Sequence, residues 1–214
     1  MPRSVTMMKR TGIDISHWQR SVDFVALKEL DNVEFVILKA GGSDKGRYID
    51  RTFYERYLNC KQLCIPVGCY YFVGPKCDSI ADGHADAVHF MDIIRGLQFE
   101  YPVWMYFEAP PATNKIGNTS ACISFCETME QAGWYTGIYA SDVSGFNDRL
   151  DLTRLTSFDK WVARYGKEPQ IVKNYGMWQY TSKGALVSID GHVDLDVSYR
   201  DYPLIMRRRH LNGF

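Results

Sequence analysis

Tyr101-Pro-Val-Trp-Met-Tyr-Phe-Glu-Ala-Pro-Pro111 is a run of β-forming residues that stops at a proline pair and holds one carboxylate, Glu108, at its far end. Alternate residues of a strand share a face, so Trp104, Tyr106 and Glu108 point one way and Val103, Met105 and Phe107 the other. A lone acid closing a buried apolar strand is costly unless it has a partner or a task. The plain reading is an acid turned to solvent at a strand end. The alternative depends on what the rest of the chain brings to the same place.

Working outward, Thr11–Ser16 has a short strand pattern, and Asp23 is placed to cap a helix through Phe24–Leu30. Phe35–Ala40 is a continuous apolar run, as in a strand covered on both faces, and leads into a glycine-rich loop, 41–46. Helical spacing from Asp50 to Cys64 precedes a second buried strand, Pro66–Val73. A helix over Ser79–Arg95, closed by Gly96, leads to the opening strand. Another helix, from about Thr119 to Ala132 and stopped by Gly133, leads to the strand Tyr135–Ala140. Residues 141–157 read as loop with one short helix, and the patterns Lys160–Tyr165, Gly176–Tyr180 and His192–Tyr199 as three strands in close succession. Five strand–helix alternations followed by three strands predict a single α/β domain closed into a TIM-like barrel. It spans residues 11–200, between an N-terminal extension (1–10) and a basic tail (201–214). Sites in such barrels lie at the carboxyl ends of the parallel strands, where Glu108 falls.

Composition narrows the function. The chain has 214 residues, 46% hydrophobic and 14% aromatic, and its 25 basic and 25 acidic residues balance, so no net field favours nucleic acid or an anionic membrane. No stretch approaches the roughly 18–20 apolar residues of a membrane span. The first ten residues have no apolar core of a secretory signal, which predicts synthesis in the cytoplasm with free thiols. Cys60/Cys64 and Cys122/Cys126 sit four apart in helix-like segments and read as small core residues. The five histidines (His17, His84, His89, His192, His210) have no metal-ligand spacing, which argues against a metal-dependent hydrolase; no cofactor is implied. Arg207–Arg209 reads as a solvated end.

The polar residues at strand ends are Asp14, Lys39, Tyr70 or Tyr71, Glu108, Tyr139, Arg164, Gln179, and Asp194 with Asp196. Several carboxylates beside aromatic faces suit sugar hydrolysis. One protonated carboxyl serves the leaving oxygen, other acids steady the cationic centre, and aromatic faces meet the C–H faces of the rings. The motifs Gly12-Ile-Asp-Ile-Ser-His-Trp-Gln19, Pro102–Glu108, Gly137–Ala140, Trp161–Tyr165, Trp178-Gln-Tyr180 and Val193-Asp-Leu-Asp196 resemble, in order, glycoside hydrolase family 25, the Chalaropsis-type lysozymes. The resemblance implies a (β/α)5β3 barrel that cleaves the β-1,4 bond between N-acetylmuramic acid and N-acetylglucosamine in bacterial peptidoglycan. It implies Glu108 as the acid that later activates water, the substrate's 2-acetamido group as nucleophile, and Asp14 and Asp194 as supporting carboxylates. Lys39, Tyr70, Tyr139, Trp161, Trp178, Gln179 and Asp196 are the implied substrate-binding residues. A phage-type lysin, acting on the wall after release or on a virion, fits that picture.

Three departures stand against the resemblance. Where the family has Asp two residues before the acid, this chain has Tyr106, a phenol that is neutral near pH 7 and cannot offset a developing cation. Lys39-Ala-Gly-Gly-Ser43 loses the acid of the family's Lys-Ala-Thr-Glu-Gly run, and Tyr71 stands where His is common. The rival reading is therefore a catalytically impaired relative that binds glycan strands.

Overall fold

The computed structural model describes residues 9–214, so most of the expected N-terminal extension lies outside the described residues. Nine strands and five α-helices follow in the order β1 (Arg10–Ile15), α1 (Phe24–Glu29), β2 (Phe35–Gly42), β3 (Tyr48–Ile49), α2 (Phe53–Gln62), β4 (Val67–Phe72), α3 (Ile80–Ile94) and β5 (Val103–Tyr106). Then come α4 (Lys115–Gln131), β6 (Thr136–Ser141), β7 (Asp159–Ala163), β8 (Met177–Gly184), β9 (Val193–Ser198) and α5 (Tyr202–Arg209). Strands β1, β2, β4, β5, β6, β7 and β8 run parallel in that spatial order. Strand β9 closes the ring, antiparallel to both β8 and β1, and β3 is a short flap on the end of β2. The eight-stranded α/β barrel expected from the sequence is present, with antiparallel pairing in its ring confined to β9. Between β6 and β7 a π-turn (Asp142–Asn147) and a 3-10 turn (Leu152–Arg154) replace a full helix. No helix among the described residues is long and apolar enough to cross a membrane.

Two-residue alternation sorts the side chains into two apolar layers. Val36, Leu38, Tyr71, Val103, Met105, Phe107, Ile138 and Val162 face the helices, while Phe35, Ile37, Tyr70, Trp104, Tyr106, Tyr139, Trp161 and Met177 fill the barrel. Helix starts follow local chemistry. The Asp23 carboxylate accepts from the N–H groups of Val25 and Ala26, each at 3.0 Å, and Asn114 starts α4 a turn earlier than its apolar pattern by accepting from Gly117 N–H at 3.0 Å. Of the two cysteine pairs, Cys122/Cys126 is buried in α4. Cys64 lies beyond the end of α2 and is exposed.

Residues 201–214 are docked, which differs from a free basic tail. Arg207–Arg209 face solvent, but on the other face of α5 Tyr202 and Met206 are fully buried against the amino-terminal end of the barrel. The Tyr202 hydroxyl donates to Asp159 at 2.8 Å, as does the Tyr135 hydroxyl at 2.9 Å. Buried Asn212 donates through Nδ2 to the Tyr101 carbonyl (2.9 Å), and its Oδ1 accepts from Tyr135 N–H (2.6 Å). Asn212→Ala would leave both buried backbone groups unpaired. The expected loss is about 2–3 kcal/mol in urea unfolding; an unchanged midpoint would show that this latch contributes nothing.

Candidate active site

A cleft of about 200 Å³ opens at the carboxyl ends of β1, β2, β4 and β5 and the amino end of the antiparallel β9. Its lining includes Asp14, Trp18, Gln19, Lys39, Tyr70, Phe72, Tyr106, Glu108 and Asp194. A second depression of about 380 Å³, bordered by Tyr139, Ser141, Arg164 and Tyr165, adjoins it. Glu108 borders both, so the two form one groove with this acid between them. A roomier hollow of about 440 Å³ lies to the side, among the loops after β2 and β4 and helix α3, and contains none of these acids.

Glu108 follows β5 by two residues, and the Phe107 N–H bond to the Tyr139 carbonyl (2.8 Å) carries the strand geometry up to it. Its side chain reaches solvent at the groove mouth, yet the walls desolvate it enough to raise the carboxyl above its ordinary value, against the pull of the Arg149 and Lys39 cations. Arg149 Nη1 also donates to the Glu108 backbone carbonyl. Asp194 is pushed up to about 6, first by burial and then by the charge of Glu108.

Closure of the ring sets Asp14 opposite Asp194 in the β1–β9 pairing. Asp14 Oδ2 accepts from Gln179 Nε2 at 2.7 Å, and Gln179 Oε1 accepts from the hydroxyls of Tyr139 (2.8 Å) and Tyr165 (3.2 Å). One layer deeper, Asp196 Oδ1 accepts from Trp161 Nε1 at 2.7 Å. Burial drives both Asp14 and Asp196 well above the carboxylate range, with Asp194 and Asp196 adding to Asp14. The acids of the groove floor therefore bind protons more tightly than exposed carboxylates, beneath an acid that is itself shifted upward.

Tyr106 forms part of an aromatic wall. Its ring stacks on Tyr139 with centroids 3.7 Å apart and planes at 16°, and lies 4.6 Å from Tyr70 and 5.2 Å from Phe72. Burial raises the phenol further, so it presents a neutral hydroxyl. Lys39 Nζ sits 4.5 Å from the Phe72 ring and 5.5 Å from the Tyr48 ring, its proton affinity lowered by burial.

Seven expected site residues meet along this groove: Asp14, Lys39, Tyr70, Tyr106, Glu108, Tyr139 and Asp194. Four others lie beneath or behind the groove lining. Trp161 and Asp196 are fully buried, and Gln179 is 1% exposed, so all three support the floor from below. Trp178 precedes the inward Gln179 and so turns outward, where Nε1 donates to the Arg164 carbonyl at 2.8 Å. The same alternation resolves the Tyr70/Tyr71 pair: Tyr71 faces the helices and its hydroxyl meets His89 Nδ1 at 2.9 Å. The departure at Tyr71 thus lies outside the groove. At Gly42 an added Cβ would sit 2.6 Å from the Phe72 carbonyl oxygen and 2.9 Å from the Tyr48 hydroxyl, so the missing acid there has no room.

Trp18, Phe72, Tyr165 and Arg149 were not singled out by the sequence. Trp18, 73% exposed on the groove rim, had a signal in the Ser-His-Trp-Gln run after β1, and Phe72 had one in its parity with Tyr70. Tyr165 had a signal as the last residue of the Trp161–Tyr165 motif, although β7 ends at Ala163, whereas Arg149 comes from a loop with no periodicity to read.

The profile of the glycosyl hydrolases family 25 matches residues 13–189. The autolytic lysozyme of Clostridium acetobutylicum is 29% identical over 186 residues, covering 86% of this chain and 54% of the relative, so the chain spans about half that protein's length. The crystal structure of the CTP1L endolysin superposes with a TM-score of 0.78 at 23% identity, over 93% of this chain and 70% of that one. A family 25 glycosyl hydrolase from Bacillus anthracis gives 0.76 at 20% identity, over 95% and 93%.

The raised Asp194 makes a pH-dependent test. Its folded-state value of about 6 exceeds the ordinary 3.8, so the stability tied to its bound proton is full below pH 4 and lost as pH rises through 6. Asp194→Asn should gain stability relative to the parent between pH 4 and 7 in urea unfolding. A difference independent of pH would contradict the shifted carboxyl.

Proposed function

Because this chain belongs to glycosyl hydrolase family 25, we propose that it is a peptidoglycan hydrolase of the lysozyme type. In this reading it is an N-acetylmuramidase that cuts the β-1,4 bond between N-acetylmuramic acid and N-acetylglucosamine at the bacterial cell wall, as a phage-type lysin. The observation that supports this most is the placement of Glu108, an upward-shifted carboxyl at the centre of an aromatic-walled groove. Glu108 protonates the leaving glycosidic oxygen while the substrate's own 2-acetamido oxygen attacks the anomeric carbon. Glu108, now a carboxylate, then takes a proton from the water that opens the resulting oxazolinium. Asp194, its own proton affinity raised by burial and by the charge of Glu108, is the supporting acid beside it, and Asp14 with Gln179 fixes the floor. Tyr70, Phe72 and Trp18 offer ring faces to the sugars.

Tyr106 limits this chemistry. A neutral phenol where the family has a carboxylate leaves the oxazolinium charge unmatched, which costs about 10²–10³ in rate. Its tight stack against Tyr139 favours a second reading, a glycan-binding relative with little turnover.

Glu108→Gln is expected to abolish clearing of bacterial wall suspensions and the release of new muramic acid reducing ends. Residual lysis in that variant would remove Glu108 from the mechanism. Tyr106→Asp should clear walls faster than the parent by up to about 10²-fold, and equal rates would show that the charge at this position is not limiting. A parent that binds walls without turnover, with activity appearing only in Tyr106→Asp, would support the glycan-binding reading.

A further inference from the structure

We propose that Arg149 is a positioning residue for Glu108, fixing the turn that presents the acid and setting the pH range over which it stays protonated. Glu108 lies beyond the last residue of β5 and two residues before Pro110 and Pro111, whose nitrogens bear no hydrogen to bond the neighbouring strands. The ladder therefore stops where the acid begins. Arg149 supplies a replacement by donating from Nη1 to the Glu108 carbonyl.

The backbone of the loop that carries Arg149 is itself held from one helix. Lys115 Nζ donates to the Asn147 carbonyl at 2.7 Å, Asn118 Nδ2 to the Arg149 carbonyl at 3.3 Å, and the Thr119 hydroxyl accepts from Asp151 N–H at 2.9 Å. The fully buried Asn118 amide also donates to the Pro111 carbonyl at 2.8 Å. The start of α4 thus ties the loop after β5 to the loop after β6, and Arg149 spans the remaining gap. A π-turn, the backbone irregularity that recurs at functional sites, feeds this loop. Arg149 makes no ion pair within 4.0 Å among the described residues, so its charge is not committed to another carboxylate.

The charges facing Glu108 are few. Lys39 from β2 and Arg149 favour its ionised form, while Asp194 from β9 is itself pushed up to about 6, in part by the charge of Glu108; Tyr106, Tyr139 and Tyr165 are neutral phenols, and burial raises the proton affinity of Asp14 below. Removing Arg149 leaves Lys39 as the one remaining cation acting on the acid among the described residues. Glu108 then holds its proton to higher pH, and the alkaline limb of a reaction needing the protonated acid moves upward.

The test uses the whole chain with Arg149→Gln and Arg149→Lys. Titration of the ¹³Cδ resonance of Glu108 needs no substrate: the Gln variant should titrate at higher pH than the parent and the Lys variant near it. In muramidase assays, an arm that rests on the proposed activity, kcat should fall about tenfold or more in Arg149→Gln through loss of the clamp. Its alkaline limb should shift upward, and Arg149→Lys should restore the limb and part of the rate. An unmoved Glu108 titration in a folded Gln variant overturns the proposal, whether or not the rate falls. Absence of turnover in the parent counts against the muramidase reading alone, since the titration still decides the role of Arg149.

Discussion

Ring closure is the constraint on which this molecule depends. Strand β1 pairs with β2 on one edge and β9 on the other, which leaves no free ladder edge in the ring and drives every second side chain into a narrow interior. Most of that interior is filled by rings, so the acids arriving from β1 and β9 are desolvated. Burial raises the proton affinity of Asp14, Asp194 and Asp196, while Asp14 accepts from the Gln179 amide and Asp196 from the Trp161 indole. The groove's chemistry follows from the architecture. One end of the barrel is plugged by α5, and the other keeps Glu108, an acid whose side chain reaches solvent while its proton affinity is raised.

Much of this was legible because strand periodicity is a strong signal. The apolar runs Phe35–Ala40 and Pro66–Val73 are buried on both faces, as parallel strands must be, and locate β2 and β4 directly. The same rule assigns Tyr70 inward and Tyr71 outward, and excludes Trp178 once Gln179 points inward. Periodicity says nothing about depth along the barrel axis. Trp161 shares a face with Ala163, yet sits low enough to be sealed beneath Tyr106 and Tyr139. Loops carry no period at all, which is why the Arg149 clamp and the Asp142 carboxylate that accepts from Gln170, Ile171 and Val172 emerge only in three dimensions.

The terminal basic run shows a different limit. Charge in Arg207–Arg209 dominates the composition of that segment and hides the two apolar side chains, Tyr202 and Met206, that anchor α5. The anchoring chemistry also belongs to residues far away in sequence, with Asp159 receiving two phenols and Asn212 bonding the chain on either side of β5 and β6. A local reading has no access to such partners. Tyr106 is the opposite case, since its position in the motif was evident while its stack with Tyr139 was not.

The β1–β9 pairing has a consequence for how this barrel is assembled. Residues 10–15 must wait for residues 193–198 before their second edge is covered, the longest sequence separation between paired strands in the ring. Contacts this distant slow folding and leave a hydrophobic strand edge open in the meantime. Strand β1 is made well before β9, so the ring cannot close until residues 193–198 have joined it. Its most vulnerable interval is the one in which an unpaired β1 edge can meet another copy.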